Sequence, residues 1–272
     1  MAPKLGIIAG GGDLPWLLRE ACKFKNRDCV FLALNGNVEE SRLPTPDNWI
    51  RIGDWGKNLD LLHELGVKDL VLAGTVRRPG LKELRPDSRG AVFLTRLGRL
   101  WFGDNSILSA VVDELETEGF RVVSPESLLD GFISKEGAYG QFVPSAEEKK
   151  DINRGIEVLK TIGELDIGQA VVVQQEIVLA VEAAEGTDEL IRRSSSLCRD
   201  GGGGVLVKFA KPNQERRVDL PTIGVQTIMA ARDAGLAGIA VEAGGALVID
   251  EETITKIADE NSMFLIGVKG AS

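Results

Sequence analysis

Between Val205 and Gly224 the chain reads VLVKFAKPNQERRVDLPTIG, and the residue types in this run could handle phosphate. A short apolar β-type stretch, Val205–Val207, ends in Lys208. Lys211, Gln214, Arg216, Arg217 and Asp219 follow, while Pro212 and Pro221 keep the backbone from continuing as helix. Several cations around one carboxylate suit phosphoryl transfer: the cations hold phosphate oxygens, and the acid orients water or a metal. A second reading stands beside it. The same residues could form a solvated basic loop in which Asp219 only closes a turn.

Two further groups invite chemistry. Leu5–Ala9 reads as a strand, and Gly10-Gly11-Gly12-Asp13-Leu14-Pro15 joins it to a helical pattern over Trp16–Phe24. A glycine turn at that junction lets backbone N–H groups approach a phosphate or a sugar, and Pro15 suits the first helical turn. The match to a dinucleotide fingerprint is partial, because Pro15 occupies the third glycine position and Cys29–Leu34 ends in Asn35-Gly36-Asn37 with no acid for a ribose. NAD and FAD chemistry is therefore disfavoured. In the second half, Glu182 and Glu185 lie at a strand end and a glycine turn, where acids could hold a cation. Asp188 and Glu189 need no such role if Thr187 caps the helix that follows.

The elements that must position these groups alternate. Strands at Leu5–Ala9, Cys29–Leu34, Trp49–Ile52, Leu70–Ala73 and Arg121–Val123 are separated by helices near 16–24, 57–65 and 106–115, which predicts an N-terminal Rossmann-like three-layer domain over 1–130. Residues 131–148 lose periodicity and read as a linker. Ser145-Ala146-Glu147-Glu148 then opens a helix into a C-terminal mixed α/β domain over 149–272, with a hairpin across Gln174-Gln175-Glu176. At 272 residues the chain has room for both. Net charge of −9 argues against general nucleic-acid binding. No segment approaches 18 uninterrupted apolar residues, so the reading is cytoplasmic. Cys22, Cys29 and Cys198 are scattered without a CxxC and read as inert thiols. His63, the single histidine, sits on a helix and reads as packing, which leaves out triads and histidine–metal clusters.

With these motifs placed, IIAGGGDLP, LVLAGTVRRP, LAVEAAEGTDELIRR, KFAKPNQERRVDLPTIGVQTI and AGLAGIAVEAGGALVID together resemble the UDP-2,3-diacylglucosamine pyrophosphatases of the LpxI type, over essentially the whole chain. The resemblance implies hydrolysis of UDP-2,3-diacylglucosamine to 2,3-diacylglucosamine 1-phosphate (lipid X) and UMP in lipid A biosynthesis, with Mg²⁺ and water attacking the sugar-side phosphorus. It also implies that Asp219, within Arg217-Val218-Asp219-Leu220-Pro221, is the central residue, either as base or as metal ligand. Lys208, Lys211, Gln214 and Arg217 would then hold phosphate oxygens, with Gln226 at the head of the next helix as a further substrate contact. Gly10, Gly11, Gly12, Asp13, Leu14 and Thr75 would line the uridine-diphosphate end, and Glu185 and Asp188 would be secondary cation ligands. Trp101, Phe102 and Phe142 are candidates for an acyl groove. Transient contact with the inner face of the cytoplasmic membrane through the diacyl substrate, and a homodimer, are compatible with this reading. The rival is a non-catalytic binding protein for UDP-sugars or nucleotides, for which a carboxylate beside phosphates would be a handicap.

Overall fold

The computed structural model describes residues 2–77, 80, 84–97, 104–129, 131–212 and 214–270; Trp101 and Phe102 lie outside the described residues. The chain divides into two compact units, Met1–Asp130 with Glu215–Asp219, and Gly131–Gln214 with Leu220–Ser272.

In the first unit β1 (Leu5–Ala9), β2 (Cys29–Leu34), β3 (Asn48–Ile50), β4 (Asp69–Ala73) and β5 (Arg121–Val122) form one sheet in the order β3-β2-β1-β4-β5. Every pairing is parallel. Its helices include α1 (Leu14–Phe24), α2 (Trp55–Glu64), α3 (Ser88–Leu97) and α4 (Asp104–Thr117). A parallel sheet needs cover on both faces, and β2 is accordingly an unbroken apolar run. Phe31 points to one face and meets Trp16 of α1, with ring centroids 4.8 Å apart. Val30, Leu32 and Leu34 point to the other and pack with Leu59 and Leu62 of α2 and Val112 and Leu115 of α4. His63 stacks on Phe120 at 4.6 Å, the packing role its position predicts. Val218 joins this same core from far along the chain.

The second unit carries a six-stranded mixed sheet. Its strands are β6 (Gly137–Ala138), β7 (Ala170–Gln174), β8 (Ile177–Val181), β9 (Val205–Lys208), β11 (Gly238–Glu242) and β13 (Phe264–Val268), in the order β6-β13-β11-β9-β7-β8. The central three are parallel, and the others join antiparallel, β7 and β8 as the predicted hairpin. A separate parallel pair joins β10 (Thr222–Ile223) to β12 (Leu247–Val248). Helix α5 (Ala146–Glu164) covers one face, setting Ile152 and Leu159 against Val171, Val173, Val205 and Val207. On the other face, α6 (Thr187–Ser194), α7 (Val225–Asp233) and α8 (Glu251–Glu260) pack around Val172, Leu206, Ile239 and Leu265. Residues 131–148, expected to be a linker, supply β6 and cluster with this unit. Among the described residues no helix is long and apolar enough to cross a membrane.

Candidate active site

Strand order changes direction at β1 in the first unit, so β1 and β4 run side by side while their outgoing chains diverge. Open α/β sheets bind ligands outside the carboxyl ends of the strands at such a point. The residues there are the predicted ones. Gly10 N–H donates to the Ala73 carbonyl at 2.8 Å, and Gly11 and Thr75 exchange backbone bonds of 2.8 and 3.0 Å. This lacing leaves no room for side chains. A Cβ on Gly10 would lie 2.5 Å from the Thr75 carbonyl oxygen, and one on Gly74 would collide with the Gly11 carbonyl. Gly74 also sits at φ +90°, a region L-residues rarely adopt.

Asp13 and Leu14 open α1, whose first turn has Pro15 and no side-chain cap. Asp13 instead pairs with Arg42, whose Nη2 lies 2.5 Å from its Oδ1. The Arg42 Nη1 donates to the Gly12 carbonyl at 2.9 Å, and its guanidinium lies 4.0 Å from the Trp16 ring centroid. Asn37, from the loop after β2, accepts from Arg77 N–H at 2.7 Å. Loops leaving β1, β2 and β4 therefore form one cluster, laced by backbone bonds and braced by Arg42. Arg42 and Asn37 escaped the sequence reading. Nothing local distinguishes an arginine 30 residues from the carbonyl it braces.

Asp219 lies in a turn that also belongs to the first unit. Val218 and Asp219 N–H both donate to the Glu215 carbonyl at 3.0 Å, and Asp219 is half-buried. Arg217 holds the turn: Nε and Nη2 grip Glu215 at 2.9 and 2.8 Å, and Nη1 reaches Glu116 of α4 at 2.8 Å. The fork of Arg217 keeps the Glu215 carboxyl below the usual carboxylate range despite the burial that raises it. Glu215, the main partner, in turn pushes Arg217 well above its ordinary value, with Glu116 adding to the effect. A phosphate approaching Arg217 has to compete with two carboxylates.

Of the other cations in the motif, Arg216 is exposed in the first unit, and Lys208 and Lys211 lie in the second, each with a protein partner. Lys208, at the buried end of β9, donates from Nζ to the Thr222 carbonyl at 2.9 Å. Lys211 Nζ is 2.5 Å from Asp166, and its N–H donates to Gln214 Oε1 at 2.8 Å. Gln214 Nε2 reaches Gln169 at 3.1 Å. Gln226 is exposed in the first turn of α7, where Gly224 provides no side-chain cap. The structure thus groups Lys208, Lys211 and Gln214 in one unit, and Gly10–Leu14, Thr75, Arg217 and Asp219 in the other.

The acids have structural partners as well. Thr187 is not the cap of α6: Gly186 precedes the helix, and Thr187 Oγ1 donates to Glu182 at 2.8 Å. Glu182 also accepts from Gln169 N–H at 3.1 Å. Glu185 accepts from Ala183 N–H at 3.2 Å and pairs with Arg193 at 2.8 Å. Its carboxyl is held below the usual range by its own backbone N–H and, against burial, by Arg193. Asp188 lies in the first turn of α6. Among the described residues no three His, Cys, Asp or Glu side chains are grouped to hold a metal. Mg²⁺ does not require such a cage, since it is commonly held by one or two carboxylates with substrate phosphates and water. A half-buried carboxylate such as Asp219 is a donor of that kind.

A parallel-sheet α/β unit joined to a mixed α/β unit in which Lys208 and Lys211 are buried defines a class of two-unit α/β proteins. Two family models divide the chain at nearly the same point: residues 4–132 match the LpxI N-terminal domain and residues 135–266, the 215–219 excursion included, the LpxI C-terminal domain. The chain is also 41% identical, over 97% of its length and 97% of the relative's, to UDP-2,3-diacylglucosamine pyrophosphatase LpxI of Caulobacter vibrioides. It belongs to the LpxI family.

Proposed function

We propose that this chain is a pyrophosphate hydrolase of lipid A biosynthesis that cleaves UDP-2,3-diacylglucosamine to 2,3-diacylglucosamine 1-phosphate and UMP. The observation that carries this is the near-full-length similarity to a pyrophosphatase of that name. The first unit is read as Rossmann-like, supported by its parallel order β3-β2-β1-β4-β5 and its helices on both faces. Its switch point would take the uridine-diphosphate end, lined by Gly10–Leu14 and Thr75, with Arg42 holding the loop.

Asp219 is the proposed catalytic residue, orienting or deprotonating water, or holding a Mg²⁺ ion together with phosphate oxygens. Bound Mg²⁺ would neutralise phosphate charge. Lys208, Lys211, Gln214, Arg217 and Gln226 are the proposed substrate contacts from the rest of the motif. Donors directed at charge that builds in the transition state are worth about 3–4 kcal/mol each where measured. Asp166 on Lys211 and Glu215 and Glu116 on Arg217 are the carboxylates that an incoming phosphate would displace. The protein is proposed to work in the cytoplasm, meeting the membrane only through its diacyl substrate.

The test is UMP release from UDP-2,3-diacylglucosamine with Mg²⁺, by wild type and Asp219→Ala. Loss of about 10²–10⁴-fold in kcat with retained substrate binding is expected for a group that handles the proton. EDTA should abolish turnover and added Mg²⁺ restore it. In ¹⁸O-water the label should enter the sugar 1-phosphate, because attack at the sugar-side phosphorus expels UMP. A wild type that binds substrate and never releases UMP is a binding protein, and the hydrolase reading is then wrong.

A further inference from the structure

Cys22 and Cys29, seven positions apart, are brought together by the fold of the first unit. Cys22 ends the inward face of α1 and is 2% exposed, whereas Cys29 opens β2 and is half-buried. Alternation along β2 places Cys29 on the same face as Phe31, the face that α1 covers through Trp16. Because α1 runs back along the sheet, its early Trp16 meets Phe31 and its late Cys22 meets Cys29. The turn between them is closed by Arg27 N–H donating to the Cys22 carbonyl at 2.8 Å. Each thiol is the first influence on the other's ionisation, as their placement in one layer between α1 and the sheet requires.

We propose that Cys22 and Cys29 form a redox-active dithiol, a modification site that a low-molecular-weight disulfide oxidises to an intramolecular Cys22–Cys29 bridge. Cys29 is the attacking group. Its thiolate displaces one thiolate from the small disulfide and forms a mixed disulfide. Cys22 then loses its proton to solvent and attacks the Cys29 sulfur, expelling the second small thiol. The two protein thiols are oxidised, and one small disulfide is reduced to two thiols.

The environment sorts these roles. The neighbouring Cys22 thiol lowers the Cys29 thiol to about 7 against burial, with Arg19 assisting and Asp47 and Asp28 opposing. The neighbouring Cys29 and burial push Cys22 up, against Arg27 and Lys25. A half-buried thiol near half-ionisation at neutral pH is the one a small disulfide reaches first. Cys198, in the other unit, directs its sulfur to the Ala234 carbonyl at 4.0 Å and serves as an internal control.

The test treats the native full-length chain with oxidised glutathione, alkylates the remaining thiols, and digests with trypsin without reductant. Cleavage after Arg19, Lys23, Arg27 and Arg42 separates Glu20–Lys23 from Asp28–Arg42, so only a disulfide can hold the two peptides together. They should be recovered linked, with Cys198 alkylated. The Cys22→Ala chain should keep a lasting glutathione adduct on Cys29. Wild-type peptides recovered separately, whether alkylated or with an adduct persisting on Cys29, would overturn the proposal. The wild-type map decides the matter even if the variant does not fold.

Discussion

Gly74 makes the sharpest prediction at the residue scale. Its positive φ and the Gly11 carbonyl facing its missing Cβ both exclude a side chain. Gly74→Ala should strain the loop by about 1–3 kcal/mol and weaken UMP binding at least about tenfold, while the unit stays folded. Calorimetric titration with UMP checks this, and an unchanged Kd would remove the switch point as the nucleotide site. Arg42→Ala should weaken UMP in the same assay, with Arg42→Lys recovering little, because a lysine cannot both fork between Asp13 and Gly12 and stack on Trp16. The glycine turn itself was legible, since three consecutive glycines after a strand have few other uses. The partners of the cations were not. Asp166 lies 45 residues from Lys211 and Glu116 lies 101 from Arg217, and no local pattern encodes a pairing made by tertiary folding.

At the scale of elements, what periodicity could signal was read and what long-range contact decides was missed. β1 and β2 have the boundaries that the sequence predicts, because each is a clean apolar run. Helix α3 was overlooked: Gly90 in its first turn masks the pattern, although Asp87 accepts from Gly90 N–H at 2.7 Å as a starting residue would. The start of α5 was legible as a capping box, with Ser145 and Glu148 bonding each other's N–H at 3.3 and 2.6 Å. Ser145→Ala should cost about 1 kcal/mol, read as a lower urea midpoint. Asp69 at the head of β4 carries more. It is 1% exposed and pairs with Arg27 of the α1–β2 turn and, at 2.7 Å, with Arg121 of β5. Asp69→Asn keeps the shape and strands Arg27 with no carboxylate, so a loss of about 3 kcal/mol is expected in denaturant unfolding of the first unit. A loss below about 1 kcal/mol would mean that water already serves those guanidinium groups.

On the scale of the whole molecule, the residue proposed for catalysis is folded as part of one unit although the chain on both sides belongs to the other. Val218 in the core and Arg217 on Glu116 anchor that excursion, so its rigidity depends on the charge state of its own acids. The sign follows from Glu215, whose folded carboxyl lies below the ordinary value near 4.3. Its contribution is complete above that ordinary value and is lost as pH falls through the lowered folded value. Arg217 is more than a third exposed, so solvent screening limits the effect to about 1 kcal/mol. Hydrogen exchange at the Val218 and Asp219 amides, corrected for intrinsic rates, measures it directly, because both donate to the Glu215 carbonyl. Protection should fall about fivefold between neutral pH and pH ~3 in wild type, and in Glu215→Gln it should start low and stay flat. Equal pH dependence in the two proteins would show that the turn is held by Val218 packing alone. The Asp219 carboxylate would then keep its place independently of the charges beside it.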